Sequence, residues 1–192
     1  AVAAIGQTNI KRLIAYSSIG HIGYALAGIS TGTLSGYSSS ITYISIYVIM
    51  NLGVFGCIFL MKKDGKYCED IKELSGISKQ NPLLAISFLI IMFSLAGIPP
   101  LAGFFAKFYV FMSVIESEMY TLAIIGLLST VVSAFYYLRI IKIIYFDETK
   151  NPFDKIKNLG ITSTVFLSCL ILVLFFLYPS ILNNIVNILS IS

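Results

Sequence analysis

Long runs of predominantly apolar residues divide the chain into segments. A helix needs about 20 apolar residues to cross a hydrocarbon core about 30 Å thick, and runs of that order occur five times. They cover residues 13–30, 41–61, 83–115, 119–138 and 161–178. None alternates apolar and polar positions as a half-buried strand does. The pattern predicts an all-α polytopic membrane protein with five transmembrane helices, in which residues 1–192 form a single membrane-embedded region.

The third run, 83–115, is too long for one ordinary span. A continuous helix of this length would measure about 50 Å. Two glycines and two adjacent prolines interrupt its middle; they are Gly97, Pro99, Pro100 and Gly103. Each proline removes an amide donor and clashes with the preceding turn, so we predict a helix that is broken near 97–103. Unwound backbone in a membrane is tolerated where it is buried in protein or lines a wet cavity, so the break indicates a function inside the membrane.

The composition excludes a soluble domain. Apolar residues make up 57% of the chain and charged residues 11%, whereas soluble proteins carry roughly 25% charged residues. Twelve of the 13 lysines and arginines lie before residue 13, in the loop 62–82 or in the loop 139–160. Five crossings would bring these three segments to one side, which the positive-inside rule makes cytoplasmic, with the C-terminus outward. The bases are interleaved with acids, so a nucleic-acid partner is not expected.

Lys107 is the one formally charged side chain inside an apolar run. It lies nine residues before Glu116, or about 13 Å of helix, which is farther than a lysine comfortably snorkels. A charged amine at that depth requires a polar cavity or a partner. We expect it to sense the positive end of the second half-helix and to take up and release a proton as its surroundings change. A static ion pair or a snorkelling anchor is the alternative, although the sequence has no acid at this depth.

His21, the one histidine, lies about ten residues, or 15 Å, into the first predicted helix. Ser17, His21, Tyr24 and Gly28 are spaced to form one polar and small stripe on that helix. A histidine that titrates near neutral pH in a hydrated line between helices suits a proton relay. A neutral histidine that is hydrogen-bonded to a neighbouring helix explains the spacing equally well.

Further polar residues lie at membrane depth on the second and fourth predicted helices. Asn51 is central in the second helix, and a stripe on the fourth contains Thr130, Ser133 and Tyr137. These side chains can support a polar axis by holding water, or they can join helices by hydrogen bonds, and the second interpretation is favoured.

The sequence contains no recognisable cofactor-binding motif. The three cysteines, Cys57, Cys68 and Cys169, lack the spacing of a disulfide framework or of a zinc, haem or iron–sulfur site. There is also no nucleotide-binding loop and no hydrolytic nucleophile motif. We therefore expect no metal, no bound cofactor, no redox centre and no catalytic residue within the chain.

Two stretches carry a family resemblance: QTNIKRLIAYSSIGHIGY at residues 7–24 and FSLAGIPPLAGFFAKFY at residues 93–109. Both resemble the antiporter-like subunits of proton-pumping NADH:quinone oxidoreductase, respiratory complex I. Lys107 stands where a different antiporter-like subunit of complex I typically has glutamate. The sequence Met50-Asn51-Leu52-Gly53 lacks the mid-helix lysine or histidine of other types. The chain thus resembles one subunit type in particular, over its five C-terminal helices, with the N-terminal part of the subunit missing.

The resemblance implies a role in proton translocation that is driven by NADH oxidation and quinone reduction elsewhere in the complex. Lys107 matches the lysine of the discontinuous helix near the outward half-channel, and His21 matches a residue on the central hydrophilic axis. NADH, flavin, iron–sulfur clusters and quinone would belong to other subunits. The implied partners are other membrane subunits, lipid, water and protons, in a bacterial inner (plasma) membrane or, alternatively, a mitochondrial inner membrane.

Two other functions remain open from the sequence. Subunits of multi-component sodium/proton antiporters and of membrane-bound hydrogenases share the broken-helix lysine motif. A purely structural membrane subunit, with Lys107 in a fixed ion pair, is the third interpretation.

Overall fold

The computed structural model describes residues 1–63, 65–148, 153–154, 158–175 and 177. Helices dominate the described residues, which confirms the predicted all-α class. The helices are α1 (Val2–Ile5), α2 (Ile10–Ile29), α3 (Leu34–Phe59), α4 (Ile77–Gln80), α5 (Pro82–Ala96), α6 (Ala102–Glu116), α7 (Tyr120–Phe146) and α8 (Leu159–Leu174). Two short strands, β1 (Lys62–Lys63) and β2 (Lys66–Tyr67), and a 3-10 helix (Ile71–Leu74) complete them.

Each predicted apolar run coincides with a helix or, for the third run, with the pair α5 and α6. Among the described residues, α3 and α7 are both long and apolar enough to cross a membrane, with 26 and 27 residues. Helices α5 and α8 are apolar but shorter. The number of crossings therefore stays a prediction, and the predicted end of the fifth run at residue 178 lies outside the described residues.

Two helix boundaries differ most from the sequence prediction. Helix α3 begins at Leu34 rather than near 41, because Thr33 caps it by accepting a hydrogen bond from Gly36 N. Helix α7 continues to Phe146 rather than ending near 138, since the long side chains of Arg and Lys are good helix formers. Arg139 donates to the carbonyl oxygen of Ile5 at 3.0 Å, so its charge is accommodated within the fold. The β1–β2 hairpin was not predicted, although an Asp-Gly pair at sequence positions 64–65 is a hairpin signal.

Helix α3 lies at the centre of the bundle and packs against α2, α5, α6 and α8, while α7 packs against α5 and α6. Close approach at one crossing depends on glycine. A Cβ at Gly53 would lie 2.8 Å from Ile91 on α5 and 3.1 Å from Ser168 on α8. Small residues thus bring α3 near two neighbours at once, as expected of helices that pack in a membrane.

Candidate functional site

Helices α5 and α6 are separate, and residues 97–101 join them. Helix α5 ends at Ala96, where Gly97 adopts a left-handed conformation with φ +84°. The N–H of Ile98 donates back to the carbonyl oxygen of Phe93 at 2.9 Å, which closes the helix end in a Schellman arrangement. The carbonyls of Leu95 and Ala96 are left without helical partners, and this end of α5 lies beside the start of α6.

Ser94 and Gly103 fasten the two half-helices together. Gly103 N donates to Ser94 Oγ at 3.1 Å, and the Ser94 hydroxyl is directed to Met50 Sδ on α3 at 3.1 Å. A Cβ at position 103 would overlap the carbonyl oxygen of Ser94, so this approach requires glycine. The break is therefore a packed structure with its own hydrogen bonds.

Lys107 reaches back from α6 to the end of α5. Its Nζ donates to the carbonyl oxygens of Leu95 at 3.0 Å and Ala96 at 3.1 Å, and the residue is 4% exposed. Helical side chains point toward the N-terminus of their own helix, which directs this amine across the break. From the sequence we expected only the positive end of α6 to act on the amine. The amine also contacts the carbonyl end of α5, whose negative potential attracts it.

Gly97 forms the wall against which the lysine lies. A Cβ there would be 3.0 Å from Lys107 Cδ and 3.3 Å from Nζ. Position 97 thus requires glycine for its positive φ and for the space that the lysine occupies.

Tyr24 on α2 lies between Lys107 and the histidine. Lys107 Nζ is 5.2 Å from the centroid of the Tyr24 ring, within the range of a cation–π contact. The same ring meets the His21 ring edge-on, with 6.0 Å between centroids. The Tyr24 hydroxyl lies 3.2 Å from Ser129 Oγ and 3.1 Å from Thr130 Oγ1 on α7. Tyr24 therefore contacts both candidate proton carriers and two hydroxyls.

His21 is buried between two tyrosine hydroxyls. Its Nδ1 lies 2.6 Å from the Tyr43 hydroxyl on α3, and its Nε2 lies 3.0 Å from the Tyr137 hydroxyl on α7. The Tyr47 ring stacks on the imidazole at 4.6 Å. A tyrosine hydroxyl can donate or accept. Because of this, the same two partners satisfy neutral imidazole, which donates once and accepts once, and imidazolium, which donates twice.

The structure brings most of the predicted polar residues together. Ser17 hydrogen-bonds to the Tyr137 hydroxyl, and Ser133, also buried, donates to the carbonyl oxygen of Thr130. Asn51 lies elsewhere: it is half-buried and lines a groove between α3 and α8. Pro99 and Pro100 lie in the connection between the half-helices. Gly28 packs closely against α3 instead of lining the site, since a Cβ there would overlap Ser40 Oγ.

Sequence reasoning missed the tyrosines that surround the histidine. Tyr43 and Tyr47 lie four residues apart on α3, so they share a helix face, and this spacing was readable. Ser94 was also missed, because a serine in an apolar run gives no sign of bridging a helix break. These three residues gain their roles from neighbours that are distant in sequence.

A cleft of about 250 Å³ adjoins the lysine between α6 and α7. Lys107, Gly97 and Thr130 contribute to its lining, and its other walls are apolar. This volume is sufficient for water. Within the described ranges no carboxylate forms an ion pair with Lys107. The ion pair among these residues joins Lys11 to Glu69 at 2.7 Å, away from the cleft. The described residues also hold no group of three or more His, Cys, Asp or Glu that could bind a metal ion.

Comparison with known proteins gives consistent results. The family model described as NADH:quinone oxidoreductase/Mrp antiporter, TM matches residues 1–133. NADH-quinone oxidoreductase subunit N of Pelagibacter ubique (strain HTCC1062) is 59% identical over 187 residues, which are 97% of this chain and 40% of that protein. The chain therefore spans less than half the length of this relative. The identity confirms the predicted resemblance to one subunit type, which is subunit N.

Solved structures share the fold. A chain of respiratory complex I from Thermus thermophilus with bound aureothin is 28% identical, with a TM-score of 0.78 over 94% of this chain and 40% of that one. A chain of the Mrp complex from Dietzia sp. DQ12-45-1b has a TM-score of 0.84 over 94% of this chain and 42% of its own length. At 19% identity, the second match is evidence of fold alone. The chain, whose sequence matches the family model over more than half its length, belongs to the NADH:quinone oxidoreductase/Mrp antiporter transmembrane family.

Proposed function

We propose that this chain belongs to a membrane subunit of NADH-quinone oxidoreductase that moves protons, and that Lys107 and His21 carry them. The observation that carries the proposal is the Lys107 amine, which is buried at a helix break with two backbone carbonyls as hydrogen-bond acceptors. A paired carboxylate would favour the ammonium form more strongly, whereas carbonyl oxygens stabilise the ammonium without neutralising its charge. Such a lysine can alternate between charged and neutral forms.

Protonation changes what the Lys107 side chain can contact. As ammonium it donates to both carbonyls of α5 and lies against the electron-rich face of Tyr24. As a neutral amine it loses the attraction to the carbonyl end of α5 and to the ring. The adjoining cleft then offers space for water to accept or supply the proton.

His21 provides the second carrier on the α2 side. Its two tyrosine partners accommodate both protonation states, so it can gain or lose a proton without leaving a buried nitrogen unsatisfied. Tyr24 contacts both carriers and therefore couples the charge of Lys107 to the environment of His21.

The remaining steps belong to the whole protein and its partners. The 59% identity to a bacterial subunit N supports assembly with other membrane subunits in a bacterial inner membrane. Oxidation of NADH and reduction of quinone, with flavin and iron–sulfur clusters, would occur in those other subunits. We propose five crossings, with the lysine-rich loops in the cytoplasm and the C-terminus outward.

The test replaces Lys107 by alanine in the full-length protein within its complex. We expect NADH oxidation to continue while proton transfer through this subunit slows by about 10²-fold or more, the usual effect of removing a positioned acid or base. Proton uptake per NADH oxidised, measured in inverted vesicles, checks this. Lys142→Ala, at an exposed position on α7, removes the same charge and serves as the control. Unchanged pumping in an assembled Lys107→Ala complex would favour the purely structural interpretation.

A further inference from the structure

A second groove lies on the opposite side of α3 from the candidate proton site. Helices α3 and α8 enclose a groove of about 340 Å³, within the size range of ligand sites. Its lining is formed by Val48, Asn51, Leu52, Phe55, Gly56, Phe59, Ile161 and Thr164. Most of this surface is apolar, and Val48 and Leu52 are each about half exposed.

The groove exists because two helices cross closely at one edge of it. A Cβ at Gly56 would lie 2.6 Å from Val165 Cγ2 and 3.8 Å from Ile161 Cγ2. The backbones therefore approach at Gly56, while larger side chains on either side hold the outer surfaces apart. This shape is an open furrow along the bundle rather than an enclosed cavity.

The length of the furrow corresponds to one leaflet of a bilayer. Val48 and Phe59 are eleven residues apart, or about 16 Å of helix. One leaflet contributes about 15 Å of hydrocarbon to a core about 30 Å thick. The furrow thus has the extent of a single acyl chain, and it ends where α3 ends.

Two lysines lie beyond this end of the furrow, around the ring of Tyr67. Phe59, which lines it, packs edge-on against Tyr67 of β2, with 5.9 Å between ring centroids. Lys62 Nζ lies 4.5 Å from the Tyr67 centroid and Lys11 Nζ lies 5.5 Å from it. Lys11 is paired with Glu69, and the hairpin N–H of Gly65 donates to Asp154, so acids are also present. Of these two lysines, Lys62 lies closer to the Tyr67 ring, which contacts the furrow through Phe59.

We propose that the α3–α8 furrow binds one acyl chain of an anionic phospholipid, with the lipid phosphate against Lys62. Apolar length and terminal positive charge match the two parts of such a lipid, and basic residues beside transmembrane helices bind anionic headgroups. The site does not involve Lys107 or His21, so it stands independently of proton transfer.

The experiment uses the full-length protein within its complex, reconstituted in phosphatidylcholine vesicles with a minor fraction of photoreactive phosphatidylglycerol. The reactive group is on the acyl chain, and mass spectrometry maps the labelled peptides. We expect labelling within residues 48–59 and 161–164, displaced by unlabelled phosphatidylglycerol and weakly by phosphatidylcholine. Lys62→Gln should reduce the preference for the anionic probe by about fivefold, the effect of one lysine near a charged surface.

Two matched pairs of variants make the test specific. Thr164→Trp fills the furrow and should abolish labelling there, whereas Ser163→Trp, exposed on the outer face of α8, should not. Lys79→Gln removes the same charge as Lys62→Gln but lies on α4, away from the furrow. Equal labelling by phosphatidylcholine and phosphatidylglycerol probes, unaffected by Lys62→Gln, would overturn the proposal. Labelling replaced by a cross-link to a helix of another subunit would overturn it as well.

Discussion

Gly97 is the residue on which the geometry of the lysine depends most directly. It supplies the left-handed turn that ends α5, and its missing side chain makes room for Lys107. Few positions in a protein require glycine for both reasons. Changes here should therefore affect stability and proton transfer by separate mechanisms.

Gly97→Ala should lower stability by about 1–2 kcal/mol for the left-handed backbone alone and should also displace the lysine from its carbonyls. Gly32→Ala is the control, because Gly32 has φ +67° but has no atom within 4 Å of an added Cβ. Thermal unfolding and proton pumping of both variants check this. Both variants should lose stability, and only Gly97→Ala should also lose pumping. Equal pumping in the two variants would contradict the role of Gly97 in positioning Lys107.

Tyr137 is expected to matter through its hydroxyl. Tyr137→Phe removes the partner of His21 Nε2 and of Ser17, and a buried unsatisfied polar group costs about 1–3 kcal/mol. Tyr47→Phe is the matched control, since Tyr47 contacts the histidine by ring stacking. Denaturation midpoints and pumping should fall for Tyr137→Phe and stay near wild type for Tyr47→Phe. Denaturation midpoints and pumping near wild type for Tyr137→Phe would contradict the role of its hydroxyl.

At the scale of elements, the loop between α3 and α5 is tied to the start of α2. The Glu69 carboxylate accepts hydrogen bonds from Lys11 Nζ at 2.7 Å and from Asn9 Nδ2 at 2.9 Å. These hydrogen bonds, and the Lys11 charge, lower the pKa of Glu69. Backbone hydrogen bonds add to the tie, because Ile10 N donates to the Glu69 carbonyl and Ile71 N to that of Thr8.

Loosening this tie should expose Cys68, which is buried and whose thiol pKa burial raises to about 11. Glu69→Gln should increase the rate at which a thiol reagent labels Cys68 near neutral pH. The carboxylate stabilises the loop at pH values above its unfolded pKa of about 4.3, and this contribution is lost as pH falls through the lowered folded value. Wild type and variant should therefore converge in acid.

The control for this measurement is Glu116→Gln, an equal change at the end of α6. It should leave the labelling of Cys68 unchanged. No difference between Glu69→Gln and wild type at neutral pH would mean that the backbone bonds alone hold the loop in place.

At the scale of the whole molecule, the bundle presents a wide apolar surface. Val131, Phe166 and Ile19 are 70%, 68% and 69% exposed, and they lie on three different helices. A water-soluble protein would not leave so many large apolar side chains on its surface. This surface is suited to contact with lipid and with neighbouring membrane helices.

The proposed topology gives a whole-molecule prediction. Single cysteines at Lys66 and at Ser117, in a background without native cysteine, should be labelled from opposite sides of the membrane by an impermeant reagent. Lys66 should react from the cytoplasm and Ser117 from outside, because the basic loops stay cytoplasmic. Labelling of both from one side would show that the number of crossings between them is even.

Local patterns were sufficient for much of this fold. Apolar runs located the long helices, and the two prolines between Gly97 and Gly103 located the break, because both signals depend on residues close in the chain. The predicted helix ends differed from the structure where polar residues extend a helix, as in the first turns of α3 and the last turns of α7. The candidate site was predicted as residues but not as contacts.

The sequence by itself determined that this protein is helical and membrane-embedded, with a lysine beside a broken helix, since hydropathy and proline chemistry act over a few residues. Only the tertiary structure decided that Lys107 lies on the carbonyl end of α5 and that His21 lies between Tyr43 and Tyr137. It likewise separated Asn51 from them, on the far side of α3. These contacts join residues up to 116 positions apart, and helix packing, not local spacing, selects them.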